Sequence, residues 1–307
     1  MKTNVRQRAV CVVAAGALLW ALAFALCAWS ARSALPGAQG PLADPTDFLA
    51  FYCGGKILAE RRDPYRVEPL RSCEASALAE SHLLMRPHFV VPAPLPPYAL
   101  AFFSPFAAVS FRTACCAFLA LSFVAVGAGI ALVLRLSRIA LPFVALALLV
   151  ALGLGSLFIG QIVPLVLVAL CASALALRSG RPRLAAGCAL VTMLEPHMGL
   201  AVLLGLVVLE RRARVPVALG VAALAALSLA AGGFSLNVAY LSQVLPAHAR
   251  SEVANFNAQY SLTALLYARG AASDTALRAG EASYLAMLAF GLILAARLRR
   301  SFGDDAF

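Results

Sequence analysis

Long apolar stretches separated by short polar clusters occupy most of the 307-residue chain. Several of these stretches approach the roughly 20 residues that a helix needs to cross about 30 Å of hydrocarbon. A spanning segment must satisfy its backbone polar groups internally, because lipid offers no water to bond them, so the stretches should be helical. The pattern predicts an all-α polytopic membrane protein, a bundle of about eight transmembrane helices with their ends in water.

The stretches predicted to form this bundle are rich in Ala, Leu and Val. A cleaved signal peptide is the alternative for the first, but signal-peptide cores usually span about 7–15 residues and this stretch is longer. Two stretches are each too short to cross alone and flank a Glu-Pro-His break. Residues 97–110 are apolar but short, and we interpret them as a re-entrant or interfacial helix. The stretches of the bundle are 9–30, 113–134, 139–158, 162–177, 184–194, 198–209, 215–231 and 283–296.

Composition and charge agree with a membrane protein. The chain is 62% hydrophobic and 13% charged, whereas a soluble domain carries about 25% charged residues. The net charge of +11 would suggest nucleic acid in a soluble protein. Here the excess lies in short clusters beside apolar stretches, which is the positive-inside pattern of membrane topology. We therefore expect membrane lipid, and no nucleic acid, as a partner.

The basic clusters also predict which side of the membrane each loop occupies. With a cytoplasmic N-terminus, all five clusters fall on the cytoplasmic side, as the positive-inside rule requires. The loops 31–96 and 232–282 then lie outside the cytoplasm. We interpret residues 1–307 as one multi-pass integral domain, in the plasma (inner) membrane, with its active face extracytoplasmic. The clusters are 2–8, 135–138, 178–183, 211–214 and 297–300.

Eight cysteines are scattered along the chain without the spacing of a metal site. Cys53 and Cys73 share the first polar loop, where an extracytoplasmic location would permit a disulfide. Spacing alone does not decide whether they pair, because a disulfide needs specific geometry. The sequence shows no zinc site, phosphate-binding glycine loop or Ser-His-Asp set, so we expect no metal and no resident cofactor.

Two carboxylates are candidates for chemistry. Asp47 follows the first predicted helix and can act as a general base if it is held in place and partly desolvated; the alternative is a helix N-cap. Glu195 and His197 lie between two half-length helices, where ionisable residues often mark a site. The alternative for this pair is a tip that lies fully in water.

Amides supply the remaining candidate contacts. Gln161 ends an apolar stretch and either binds a ligand or ties neighbouring helices together. Asn257 and Gln259 lie beside aromatic residues in the second loop, in a segment that suits sugar recognition and also suits an ordinary loop.

Several short motifs follow one another in order over residues 44–262. They are Asp47-Phe48, Tyr52, Gly54 or Gly55, Asp63-Pro64-Tyr65, Leu95-Pro96-Pro97, Pro105, Gly160-Gln161, Glu195-Pro196-His197-Met198-Gly199-Leu200 and, loosely, Asn257 to Leu262. Their order and spacing resemble glycosyltransferase family 87, of the polyprenol-phosphate-sugar-dependent GT-C superfamily. Each motif is weak alone, and the set is moderately specific.

The resemblance implies a GT-C-like bundle with short helices in the first loop. It also implies inverting transfer of a hexose, often mannose, from a polyprenyl phosphate to an extracytoplasmic glycan or glycolipid. It makes Asp47 the candidate catalytic base. Candidate substrate-binding residues are Tyr52, Lys56, Gln161, Glu195, His197, Asn257 and Gln259.

The chain departs from the family pattern at two motifs. The Tyr before Pro96-Pro97 is lost, and Glu195 replaces a Lys that would suit the donor phosphate as a point charge. Ionised Glu195 would repel that phosphate, and Lys56 or His197 are among the possible substitutes. Family members also often continue with more helices, so a shortened or inactive member is one alternative. A transporter or flippase for a lipid-linked or polar solute and a non-catalytic envelope-assembly subunit are the others.

Overall fold

A computed structural model describes residues 46–80, 90, 92–137, 157, 159–253 and 261–302. In these residues the chain is 86% helical and forms no β-strand. Short 3₁₀ turns at 104–108, 192–194 and 211–213 and a π-helical turn at 240–244 connect the α-helices. The α-helices are α1 Thr46–Ala59, α2 Val67–Glu80, α3 Pro97–Phe103, α4 Phe111–Leu136, α5 Val163–Arg178, α6 Pro182–Val191, α7 Pro196–Leu209, α8 Arg214–Ala239, α9 Leu245–Val253, α10 Leu262–Ala268 and α11 Ser273–Phe302.

Within the described residues, three helical segments are long and apolar enough to cross a membrane: Phe111–Leu136, Arg211–Val253 and Ser273–Arg297. Helices α5 and α7, and α6 with the turn after it, are apolar but shorter. The predicted count of about eight crossings is therefore not confirmed. The predicted crossing at 9–30, and nearly all of that at 139–158, lie outside the described residues.

The predicted loop at 232–282 is largely helical where the structure describes it. Helix α8 passes through a kink at Gly233, whose φ of 66° favours glycine. The Asn237 amide donates to the carbonyls of Gly233 and Ser228 at 2.7 and 3.0 Å, which satisfies polar groups at the kink. The last helix also begins at Ser273 rather than at the predicted 283. The small and polar residues that predicted a loop, such as Gly233 and Asn237, thus allow and stabilise a bend in a helix.

Helix α1 is the centre of the main hydrophobic core. Residues 48–55 of this helix are all buried. Neighbouring elements approach it so closely that a Cβ on Gly55 would lie 2.8 Å from the Phe103 carbonyl carbon. The Ser104 hydroxyl then donates to the Gly55 carbonyl at 3.0 Å. The predicted short helix at 97–110, seen here as α3 and a 3₁₀ turn, is therefore packed on α1.

A disulfide joins α1 to α2. Cys53 and Cys73 are bonded, with their Cα atoms 5.7 Å apart. The sequence left this pairing open. The Asp63-Pro64-Tyr65 turn lies between the two helices, and the Tyr65 hydroxyl donates to the Leu95 carbonyl at 2.8 Å. The disulfide and this hydrogen bond fix the segment that carries α1.

Candidate functional site

The first turn of α1 is held against the segment that precedes α5. The backbone N–H groups of Asp47 and Phe48 donate to the Ile159 carbonyl at 3.0 and 3.2 Å. The Asp47 carboxyl is hydrogen-bonded to the Gln161 side chain and to Thr46. Burial raises the pKa of Asp47 above its usual value, and the hydrogen bond from Gln161 opposes that rise. Asp47 is thus a positioned, partly desolvated carboxyl.

Gly160 makes this contact possible. Its φ is 79°, in the left-handed region that residues other than glycine rarely adopt. A Cβ at this position would collide with the Phe48 Cβ. The Gly160-Gln161 motif therefore combines a residue that permits the close approach with an amide that reaches Asp47.

Replacing Gly160 by alanine tests this packing. We expect the left-handed backbone to cost about 1–2 kcal/mol, and the collision with Phe48 to cost more. Gly270→Ala is the matched control, because Gly270 has a φ of 89° and open space around it. Thermal unfolding and activity should be measured for both. If Gly160→Ala and Gly270→Ala lose the same stability and both keep full activity, Gly160 does not position Asp47.

Glu195 lies in the break between the 192–194 turn and α7. Its backbone is extended (φ −115°, ψ 91°), and its carbonyl accepts the Met198 and Gly199 N–H groups at 3.0 and 2.9 Å. A Cβ on Gly199 would lie 2.7 Å from the Met193 nitrogen, so glycine permits the tight entry into α7. The predicted break between two short helices is confirmed.

The Glu195 side chain is largely buried and faces the same region as Asp47. It is 19% exposed, and its Oε2 lies 3.6 Å from Nδ1 of His197. Desolvation, and secondarily the charge of Asp47, raise the pKa of Glu195 to about 7. The neutral acid is therefore well populated at neutral pH, which removes much of the repulsion expected between an ionised Glu195 and a phosphate.

Residues that the sequence did not single out complete this cluster. His248 is close enough to act electrostatically on both Asp47 and His197, and Glu252 acts on Asp47. The charge of Glu195 acts on Tyr98, and the Tyr98 hydroxyl donates to the Met193 carbonyl at 2.8 Å. Tyr98 directly follows the Pro96-Pro97 pair from which the preceding family Tyr is missing, which was the available clue.

The structure brings four predicted site residues together and separates others. Asp47, Gln161, Glu195 and His197 form one cluster through the contacts above. Asn257 and Gln259 lie outside the described residues. The metal-free expectation is not tested, although no group of three or more His, Cys, Asp or Glu side chains in the described ranges could hold a metal ion.

Tyr52 and Lys56 lie away from this cluster. Tyr52 is 4% exposed in the aromatic core, and its hydroxyl donates to the Val109 carbonyl at 3.0 Å. Lys56 follows Asp47 by nine residues in α1, which places it about 13 Å further along the helix axis. These positions favour a packing role for Tyr52 and a helix C-terminal role for Lys56.

Comparison with known proteins agrees with the resemblance read from the motifs. The model of glycosyltransferase family 87 matches residues 95–306, more than half of the chain. The matched region contains Gln161, Glu195 and His197 and begins after Asp47. No curated protein and no solved structure matches the chain. The apolar helices and the matched family indicate a membrane protein. The chain belongs to glycosyltransferase family 87.

Proposed function

We propose that this glycosyltransferase moves a hexose, mannose in the first instance, from a polyprenyl phosphate to an extracytoplasmic glycan or glycolipid. Asp47 acts as the general base, and the anomeric centre is inverted. The observation that carries the proposal is the Asp47–Gln161 hydrogen bond beside Glu195 and His197. It supplies a positioned carboxylate next to a second carboxyl whose proton is available at neutral pH.

The acceptor side of the reaction requires a base. A hydroxyl is a poor nucleophile at neutral pH, so a carboxylate within hydrogen-bond reach should take its proton as the new bond forms. The Gln161 hydrogen bond stabilises the ionised form of Asp47, while burial raises its basicity. Both effects suit an accepting carboxylate.

The donor side requires stabilisation of a departing phosphate. The lipid phosphate is a competent leaving group, so the scheme needs no covalent enzyme intermediate. Neutral Glu195 can donate a hydrogen bond to a phosphate oxygen, whereas the ionised form cannot. His197, 3.6 Å from Glu195, can add positive charge when protonated, and desolvation lowers its pKa.

The site lies outside the cytoplasm in this proposal, within one integral domain of GT-C-like bundle form in the plasma membrane. The five basic clusters support that orientation. The Cys53–Cys73 disulfide supports it independently, because disulfides persist mainly in oxidising compartments.

Cysteine accessibility tests the orientation. We expect an impermeant maleimide to label Ser76→Cys in intact cells and to label Ser179→Cys only after the membrane is opened. Both serines are exposed, and the six cysteines other than the bonded pair Cys53 and Cys73 should be alanine in both variants. Labelling of Ser179→Cys but not Ser76→Cys in intact cells would contradict the orientation.

A membrane assay tests the function itself. Membranes containing the protein are incubated with a panel of radiolabelled polyprenyl-phosphate hexoses, and labelled product is separated from donor. We expect transfer from at least one donor by wild type and strongly reduced transfer by Asp47→Asn. Asp274→Asn, an exposed carboxylate on α11, is the matched control and should transfer normally. Transfer from no donor would overturn the proposal and favour a transporter or a non-catalytic subunit.

A further inference from the structure

A cavity lies at the opposite ends of α5 and α7 from Gln161 and Glu195. Its volume is about 320 Å³, which is within the range of ligand-binding sites. The walls come from the C-terminal halves of α5 and α7 and from the turn before α6, and they include Leu177, Val202 and Leu206. Thirteen residues separate Pro196 from Leu209, so the cavity reaches about 20 Å from the start of α7.

One end of this cavity adjoins a basic part of the surface. Gly180, Pro182, Glu210 and Arg212 line that end, and the charges of Glu210 and Arg212 offset each other. The two segments that surround it, 178–183 and 210–214, contain six arginines and one acid. The walls are apolar, and the adjoining segments carry an excess of arginines. This combination favours a ligand with an apolar chain and an anionic group.

Two of the six arginines are tied to the protein backbone. Arg178 donates to the Leu136 carbonyl at 2.6 Å, and Arg214 donates to the Val207 carbonyl at 2.8 Å. The others, among them Arg181 and Arg212, have exposed side chains. Arg212 lines the cavity itself, so its guanidinium is placed to meet an anionic group attached to an apolar chain.

We propose that this cavity binds an anionic phospholipid, with one acyl chain between α5 and α7 and the phosphate near Arg212 and the neighbouring Arg181. A soluble phosphate compound would gain no binding energy from the apolar walls, and a neutral lipid would gain none from net attraction to the arginines. Juxtamembrane basic groups attract anionic lipids, and basic pockets between helices bind their head groups. The site does not depend on the proposed transferase chemistry.

This lipid is distinct from the proposed donor. A donor phosphate beside Glu195 and His197 would lie at the start of α7, whereas Arg212 follows the end of that helix. The two sites are therefore about 20 Å apart along the helix axis. Loss of one should leave the other intact, which keeps the two proposals separately testable.

Gly205→Leu tests the apolar part of the site. Gly205 lines the cavity, and a Cβ there meets no atom within 4 Å, so a larger side chain fills the space without displacing the backbone. Gly187→Leu is the matched control, because Gly187 has the same open surroundings on α6 and does not line the cavity.

The readout is lipid binding to the purified full-length protein in detergent. Native mass spectrometry counts retained phosphatidylglycerol against phosphatidylcholine with the same acyl chains, and thermal unfolding measures stabilisation by each. We expect phosphatidylglycerol to be retained and to raise Tm more than phosphatidylcholine. Gly205→Leu should weaken its binding at least about tenfold, and Gly187→Leu should not.

The charge is tested by replacing Arg181 and Arg212 together with glutamine. We expect the preference for phosphatidylglycerol to disappear, while Arg269→Gln with Arg278→Gln, two exposed arginines elsewhere, preserves it. The arginine pair is exposed, so it decides the question even if Gly205→Leu lowers the yield of folded protein. Equal binding of both lipids by wild type, or unchanged binding in Gly205→Leu, would overturn the proposal. If detergent or another part of the chain fills the cavity, phosphatidylglycerol binding should be unchanged in Gly205→Leu.

Discussion

Asp47→Asn is expected to lower turnover by about 10²–10⁴-fold, the usual contribution of general acid–base catalysis. Asparagine has nearly the same shape as aspartate and can still accept a hydrogen bond from Gln161. It cannot take the acceptor's proton. The loss should therefore appear in kcat, with the affinity for the donor nearly unchanged.

The kinetic separation distinguishes catalysis from packing. Donor affinity measured by titration and turnover measured at saturating donor should be compared for wild type, Asp47→Asn and the surface control Asp274→Asn. A variant that folds, binds donor and turns over at the wild-type rate would rule out Asp47 as the base. A fall in donor affinity alone would make Asp47 a binding residue instead.

Glu195→Lys is expected to tighten donor binding. The change replaces a carboxyl that repels a phosphate when ionised with a point charge that attracts it. A hydrogen bond to a charged group contributes about 1.5–3 kcal/mol, which corresponds to a roughly 10- to 150-fold lower Kd. Glu281→Lys, at an exposed position of α11, adds the same charge elsewhere and should leave Kd unchanged. Weaker donor binding or lost activity in Glu195→Lys would place Glu195 on the sugar or the acceptor.

The pH dependence of donor binding should follow the same carboxyl. Burial first, and Asp47 second, raise the pKa of Glu195 to about 7. The neutral acid present below this pKa can donate to the phosphate, and the carboxylate formed above it repels the phosphate. Donor Kd should therefore increase between about one unit below and one unit above the pKa, a range that converts most of the acid to carboxylate. Glu195→Gln stays neutral and should lose this dependence; an unchanged dependence would implicate His197, whose pKa desolvation lowers.

The break at Glu195 and the polar end of an apolar stretch at Gly160-Gln161 were predictable from sequence, because each depends on local chemistry. Proline disfavours a helix interior and is tolerated in the first turn, so Pro196 between two short apolar stretches favours the end of one helix and the start of the next. A Gly-Gln pair before an apolar run likewise indicates a turn with a polar side chain at its end. The structure adds that this amide reaches Asp47, which is a contact between segments more than 100 residues apart.

The surroundings of Tyr52 and the approach of His248 to the site depend on long-range packing, so the sequence could not predict them. The substrate contact of Tyr52 stays a prediction; in the structure residues 48–55 of α1 are buried, and the Tyr52 ring packs against Phe111 at a centroid distance of 5.3 Å. His248 reaches the site only because the kink at Gly233 and the π-helical turn redirect the long segment that carries it. In the hydrophobic pattern of the sequence, each of these bends looks the same as the start of a loop.

The stereochemistry of transfer by the purified protein tests the central claim most directly. The protein is supplied with a polyprenyl-phosphate hexose of known anomeric configuration and an acceptor, and the product linkage is assigned by NMR. The account predicts a product of inverted configuration from wild type and almost none from Asp47→Asn. A product of retained configuration, or an equal yield from Asp47→Asn, would contradict direct displacement assisted by Asp47.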